Sequence, residues 1–128
     1  MAFTKDALAG GAFWKGTIAP LFGNTSSTAA FTALAGGANS ASTPTLTAAT
    51  YTTITVCATG ADSARLPVAE VGDEFFVANK GAAACAIFPQ TGGTINGGSA
   101  NASVSLTNAK MGFFKNIGGD NWIFGMFA

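Results

Sequence analysis

Residues 111–127 read MGFFKNIGGDNWIFGMF. Two runs rich in aromatic and branched residues, 111–117 and 122–127, flank Gly118-Gly119-Asp120-Asn121. That turn chemistry between strand-like runs predicts a β-hairpin. Side chains alternate across a strand, so Trp122, Phe124 and Met126 point one way, and Ile123 and Phe127 the other. The closing strand is therefore apolar on both faces, whereas a strand wetted on one side pairs apolar with polar positions. Either both faces are buried within the subunit or one meets another subunit. In a chain of 128 residues the second solution needs less core volume. Trp122, Phe124 and Phe127 are accordingly candidate interface residues.

Working back from the hairpin, the chain from about Thr52 is a series of short β-type runs. Thr53-Ile54-Thr55-Val56-Cys57 alternates, and Gly60-Ala61-Asp62-Ser63 breaks it. Arg65-Leu66-Pro67 is a short extended piece, and Gly72-Asp73 a turn before Glu74-Phe75-Phe76-Val77-Ala78. Asn79-Lys80-Gly81 turns into Cys85-Ala86-Ile87-Phe88, which Pro89 ends. Thr94-Ile95 leads into the turn Asn96-Gly97-Gly98, and Ser103-Val104-Ser105-Leu106 alternates again. Seven or eight short strands at this spacing predict an all-β domain, an antiparallel β-sandwich of jelly-roll type, over residues 51–128.

Residues 1–50 differ in kind. They are dominated by Ala, Ser, Thr and Gly, and no charged residue occurs from Gly16 to Ala61. Apolar anchors, among them Trp14, Phe22 and Phe31, are spaced by Gly, Pro20 and Asn24. This predicts an extended, low-charge N-terminal arm whose anchors either lie across a neighbouring subunit or complete the local core. A short helical turn is expected at residues 27–34. Trp14, Phe22 and Phe31 join the candidate interface residues.

Charged residues make up 9% of the chain and cancel to zero, against about a quarter in ordinary soluble domains. Such a surface resists self-association poorly, which favours a subunit of an assembly. Scattered Lys and Arg argue against nucleic acid as a partner, and no apolar run is long enough to span a bilayer. The N-terminus lacks the pattern of a secretory signal, so the product is expected to be made in the cytoplasm. Cys57 and Cys85, in strand-like runs, read as reduced core thiols.

The absence of histidine removes the commonest general base and metal ligand. The one acidic cluster, Glu70, Asp73 and Glu74, reads as a solvated turn, and the glycine pairs at 92–93 and 97–98 lack the lysine of a phosphate loop. No catalytic, metal or cofactor site is expected, and the chain does not read as an enzyme.

The run RLP, VGDEFFVANKGAA, IFPQTGGTINGG, followed by a closing aromatic strand, resembles a module of tailed-bacteriophage virion proteins. The family includes capsid cement, decoration and head-fibre proteins, and the likeness covers residues 55–127. It implies a place on the virion, commonly as an oligomer and often a trimer, and it carries over no catalytic residues. The expectation is a cement or decoration protein on the capsid surface whose partners are the major capsid protein and copies of itself. The alternative is a head- or tail-fibre module whose turns bind a host surface receptor.

Overall fold

The computed structural model describes residues 26–33, 43–46, 48 and 51–127, with the backbone alone for the strand Ser26–Thr32. Among these residues the fold is all-β, with nine strands and no helix. They are β1 (Ser26–Thr32), β2 (Tyr51–Val56), β3 (Ser63–Arg65), β4 (Glu74–Asn79), β5 (Cys85–Phe88), β6 (Thr94–Ile95), β7 (Val104–Leu106), β8 (Lys110–Gly118) and β9 (Asn121–Phe127). Six form one sheet in the order β1-β2-β4-β8-β9-β6, and three form a second in the order β3-β5-β7. One cluster of buried side chains draws on both, including Ile54, Val77, Phe114 and Trp122 from the larger sheet and Ala64, Ile87 and Leu106 from the smaller.

The sheets are mixed, not antiparallel throughout. β1 with β2, β2 with β4, β3 with β5 and β6 with β9 run parallel. Only β4 with β8, β8 with β9 and β5 with β7 are antiparallel. The cause lies in the connections. Successive strands β2, β3, β4 and β5 alternate between the two sheets, so each strand returns to its own sheet by a crossover and lies parallel to its predecessor.

A second correction concerns residues 27–34. They hold no helical turn: Ser26–Thr32 is a strand, placed at a sheet edge by parallel pairing of Ser26 with Tyr51 and Ser27 with Thr52. Serine and threonine favour strands or turns over helix interiors, and here pairing with β2 decides. Part of the segment 1–50 is thus built into the sheets. Ala33 and Leu46 belong to the core, and Thr45 bridges to Arg65.

The crossover from β2 to β3 turns on Asp62. Its carboxylate accepts from the Thr59 hydroxyl (2.8 Å), the Ala58 N–H (2.7 Å) and the Thr59 N–H (3.2 Å). The Thr59 hydroxyl first, then the backbone donors, hold this carboxyl below the usual carboxylate range, against the opposing effect of burial. A lowered folded-state pKa contributes stability that is complete above the unfolded value, about 3.9. That stability is lost as pH falls through the lower folded value. Asp62→Asn is therefore expected to be less stable than wild type at pH 7 and to approach it as pH drops below about 4, as measured by urea midpoints across that range.

Cys57 and Cys85 are buried free thiols. Cys57 Sγ donates to the Ala84 carbonyl at 3.3 Å. Burial pushes both thiols up in pKa, which disfavours the nucleophilic thiolate.

Candidate interaction surface

The larger sheet has a packed inner face and an outer face left open by every described residue. On β4, Phe75, Val77 and Asn79 are buried and point inward, while Glu74, Phe76 and Ala78 alternate outward. On β8, Gly112, Phe114 and Asn116 are inward, and Met111, Phe113 and Lys115 outward. Gly112 is required there, since a Cβ would come within 2.9 Å of Phe114 and 3.0 Å of Phe124, whose rings stack at 4.8 Å.

Register assembles the outward residues into three rows across the strands. The first holds Glu74 and Lys115, joined by an ion pair of 3.1 Å, with Ile123 beside Lys115. Both charges are well exposed, so the pair contributes little stability. The second row is aromatic: Tyr51 stacks on Phe76 at 5.1 Å, and Phe76 meets Phe113 at 5.2 Å. Gly125 continues this row on β9, and Phe127 reaches the Phe76 ring edge-on at 6.3 Å. The third row is Thr53, Ala78, Met111 and Phe127. At its end lies an open apolar cavity of about 490 Å³, lined in part by Ala78, Ala109, Met111 and Phe127.

Large side chains stand out at both ends of the β8–β9 hairpin, Ile117 and Ile123 near its turn and Phe127 at the far end. Ile117 is 54% exposed, Phe127 47% and Ile123 44%. Ile117 projects because the ladder slips between Asn116 and Gly118, a bulge that adds a residue to β8. Exposed Val68 and Val71 lie in the β3–β4 connection, which is tied to the same end of β8 by the Gly72 N–H on the Asn116 carbonyl at 2.8 Å.

The edge of β9 is closed for only part of its length. β6 pairs with Asn121 and Trp122. Asn96 then extends that pairing: its N–H donates to the Trp122 carbonyl (2.8 Å), and its side-chain amide accepts from the Phe124 N–H (2.8 Å) and donates to the Phe124 carbonyl (3.1 Å). The asparagine amide stands in for one peptide unit of a neighbouring strand. Past Phe124 no described strand continues the ladder, an open edge of the kind that accepts another chain.

The candidate interface residues fall in different environments. Trp122 has no exposure and sits in the core, packed on Phe75 at 5.7 Å. Phe124 is half-buried against Phe114 on the inner face, and Phe127 is exposed on the outer. The expected alternation holds in burial from Trp122 to Phe124, whereas Met126, expected on the side of Trp122, is 44% exposed. Trp14 and Phe22 lie outside the described residues, as does the Phe31 side chain, whose backbone pairs with Ile54. Composition and alternation pointed to the closing strand; Tyr51, Phe76, Phe113 and Ile117 went unmarked, because their shared face depends on register between strands distant in sequence.

A polar hollow of about 230 Å³ at Thr91, Gly92, Gly93, Gly119, Asp120 and Asn121 has no aromatic ring in its lining. No group of three or more potential metal ligands occurs among the described residues, and none of their helices could cross a membrane, since there are none. Comparison with family models, with curated proteins and with solved structures returns no match to this chain.

Proposed function

We propose that this chain is a structural subunit of a tailed-phage virion, a cement or decoration protein that stabilises the shell by binding the major capsid protein and copies of itself. The single observation that carries the reading is the outer face of the larger sheet. Its aromatic row and its exposed Ile117, Ile123 and Phe127 are uncovered by any described residue, in a chain with only 9% charged residues. Contiguous apolar surface of this kind marks an interaction site. The resemblance of residues 55–127 to virion modules supplies the setting.

In this reading the two sheets face one another as a β-sandwich, and the protein acts mechanically, without catalysis. It adds buried area between capsomers, where specific interfaces bury about 1,200–2,000 Å². Assembly places it on the capsid surface, often as a trimer. Co-sedimentation tests the proposal: full-length protein should pellet with capsids that lack it, and Ile123→Lys should pellet markedly less. Absence of wild-type protein from the capsid pellet would overturn the cement role.

A further inference from the structure

We infer that a second copy of this chain seats its exposed Val71 turn in the apolar cavity at the Met111–Phe127 end of the larger sheet, with Glu70 and Asp73 of the turn meeting Lys80 and Lys110 of the cavity. The inference rests on the self-association in the proposed function and names the two surfaces that meet. Three observations converge on that occupant.

The first is the chemistry of the cavity. Ala78, Ala109, Met111 and Phe127 give it an apolar lining, and its volume of about 490 Å³ lies within the range of clefts that take organic groups. Lys80 and Lys110 also line it, no carboxylate does, and neither lysine makes an ion pair with a described residue. Such a cavity suits a small apolar group flanked by negative charge. The second is that the β3–β4 connection presents a group of this kind. Val68 is 78% exposed and Val71 71%. Glu70 and Asp73 lie on either side of Val71 and are exposed as well. The turn is held in shape by the Glu70 N–H on the Asp73 carboxylate (2.8 Å) and the Gly72 N–H on the Asn116 carbonyl (2.8 Å). A preformed turn carrying a stiff, β-branched valine loses little entropy on docking.

The third is distance. The turn precedes Glu74 and the cavity adjoins Ala78 and Asn79, so the two lie at opposite ends of β4, about 17 Å apart along the strand. The chain's own turn, tied to β8 at Asn116, cannot reach its own cavity, and the occupant comes from another copy. A contact between two different patches can repeat from copy to copy and close a ring, as the proposed trimer requires. Ile117 and Ile123 project at the turn end of the sheet and border the contact. The aromatic row Tyr51–Phe76–Phe113 lies outside it, open to the capsid protein of the proposed function.

Charge reversal tests the contact in full-length protein, read by light scattering across micromolar concentrations. Glu70→Lys changes an exposed side chain and leaves the backbone bonds of the turn in place, while Lys80→Glu and Lys110→Glu change the cavity side. Each should raise the concentration at half-association about tenfold, since like charges then face one another. Combining Glu70→Lys with Lys80→Glu or with Lys110→Glu in one chain should bring at least one double variant back near wild type. A wild-type monomer would overturn self-association and this contact with it. An oligomeric wild type with unaffected single variants, or with neither double variant restored, would overturn this contact alone. Independently, a benzophenone side chain placed at position 71 in a mixture of unlabelled and ¹⁵N-labelled protein should cross-link to peptides carrying Met111 or Phe127 in mixed-label pairs. Cross-links confined to other peptides, or to pairs bearing one label, would also overturn it.

Discussion

Asn79→Leu is expected to lose about 3–5 kcal/mol of stability, a large share of the 5–15 kcal/mol typical of a domain. Asn79 ends β4 with 1% exposure, and its side chain uses all its principal bonding capacity inside the protein. The amide nitrogen donates to the Leu106 carbonyl of β7 at 2.8 Å and to the Ala83 carbonyl at 2.9 Å. The amide oxygen accepts from the Gly81 N–H at 2.9 Å. One side chain thus ties the larger sheet to the smaller and shapes the turn between β4 and β5. Leucine fills similar space but strips three backbone groups of this partner, each at about 1–3 kcal/mol where burial denies them water. Asn79→Asp is the sharper probe. It turns a carboxylate toward two carbonyls, so its folded-state pKa should be raised and its stability should fall as pH rises above about 4. Urea midpoints at pH 4 and pH 7 read both effects, and a leucine variant within 1 kcal/mol of wild type would contradict the assignment.

Gly81→Ala should be comparably damaging, at about 3 kcal/mol or more. A Cβ at this position would lie 2.5 Å from Cys57 Cβ, 2.6 Å from Cys57 N and 2.9 Å from Cys57 Cα, so the obstacle is largely backbone. Nor can the loop retreat, because Lys80 N–H donates to the Ile54 carbonyl (2.8 Å) and Ala83 N–H to the Cys57 carbonyl (3.0 Å), one on each side of Gly81. Gly60→Ala is the control, with nothing within 4 Å of its added Cβ. It should unfold at nearly the wild-type denaturant concentration while Gly81→Ala unfolds far earlier or fails to accumulate folded.

These two positions show where reading the sequence stops. Local pattern located β5 at Cys85–Phe88, located the β8–β9 hairpin around Gly119 and Asp120, and placed β2 within two residues. Each of those elements carries its own alternation and its own turn. Asn79-Lys80-Gly81 was legible as a turn, yet its asparagine acts through bonds to residues up to 27 positions away, which no local pattern encodes. Asn96 is the same case, a turn residue whose amide completes the pairing of β9. Parallel pairing was illegible for a related reason, since short runs look alike whichever direction their partners take. β1 escaped because SSTAAFT has no apolar alternation and is a strand only through its neighbour.

The exposed end of the β8–β9 hairpin is the feature to which we assign the proposed assembly, and Ile123, 44% exposed beside Lys115, can be changed without entering the core. The most direct test is light scattering on purified full-length protein at micromolar concentration, run beside Ile123→Lys. A discrete oligomer for wild type, expected to be a trimer, with a shift toward monomer in the folded variant, is the predicted result. A monodisperse wild-type monomer would contradict the account.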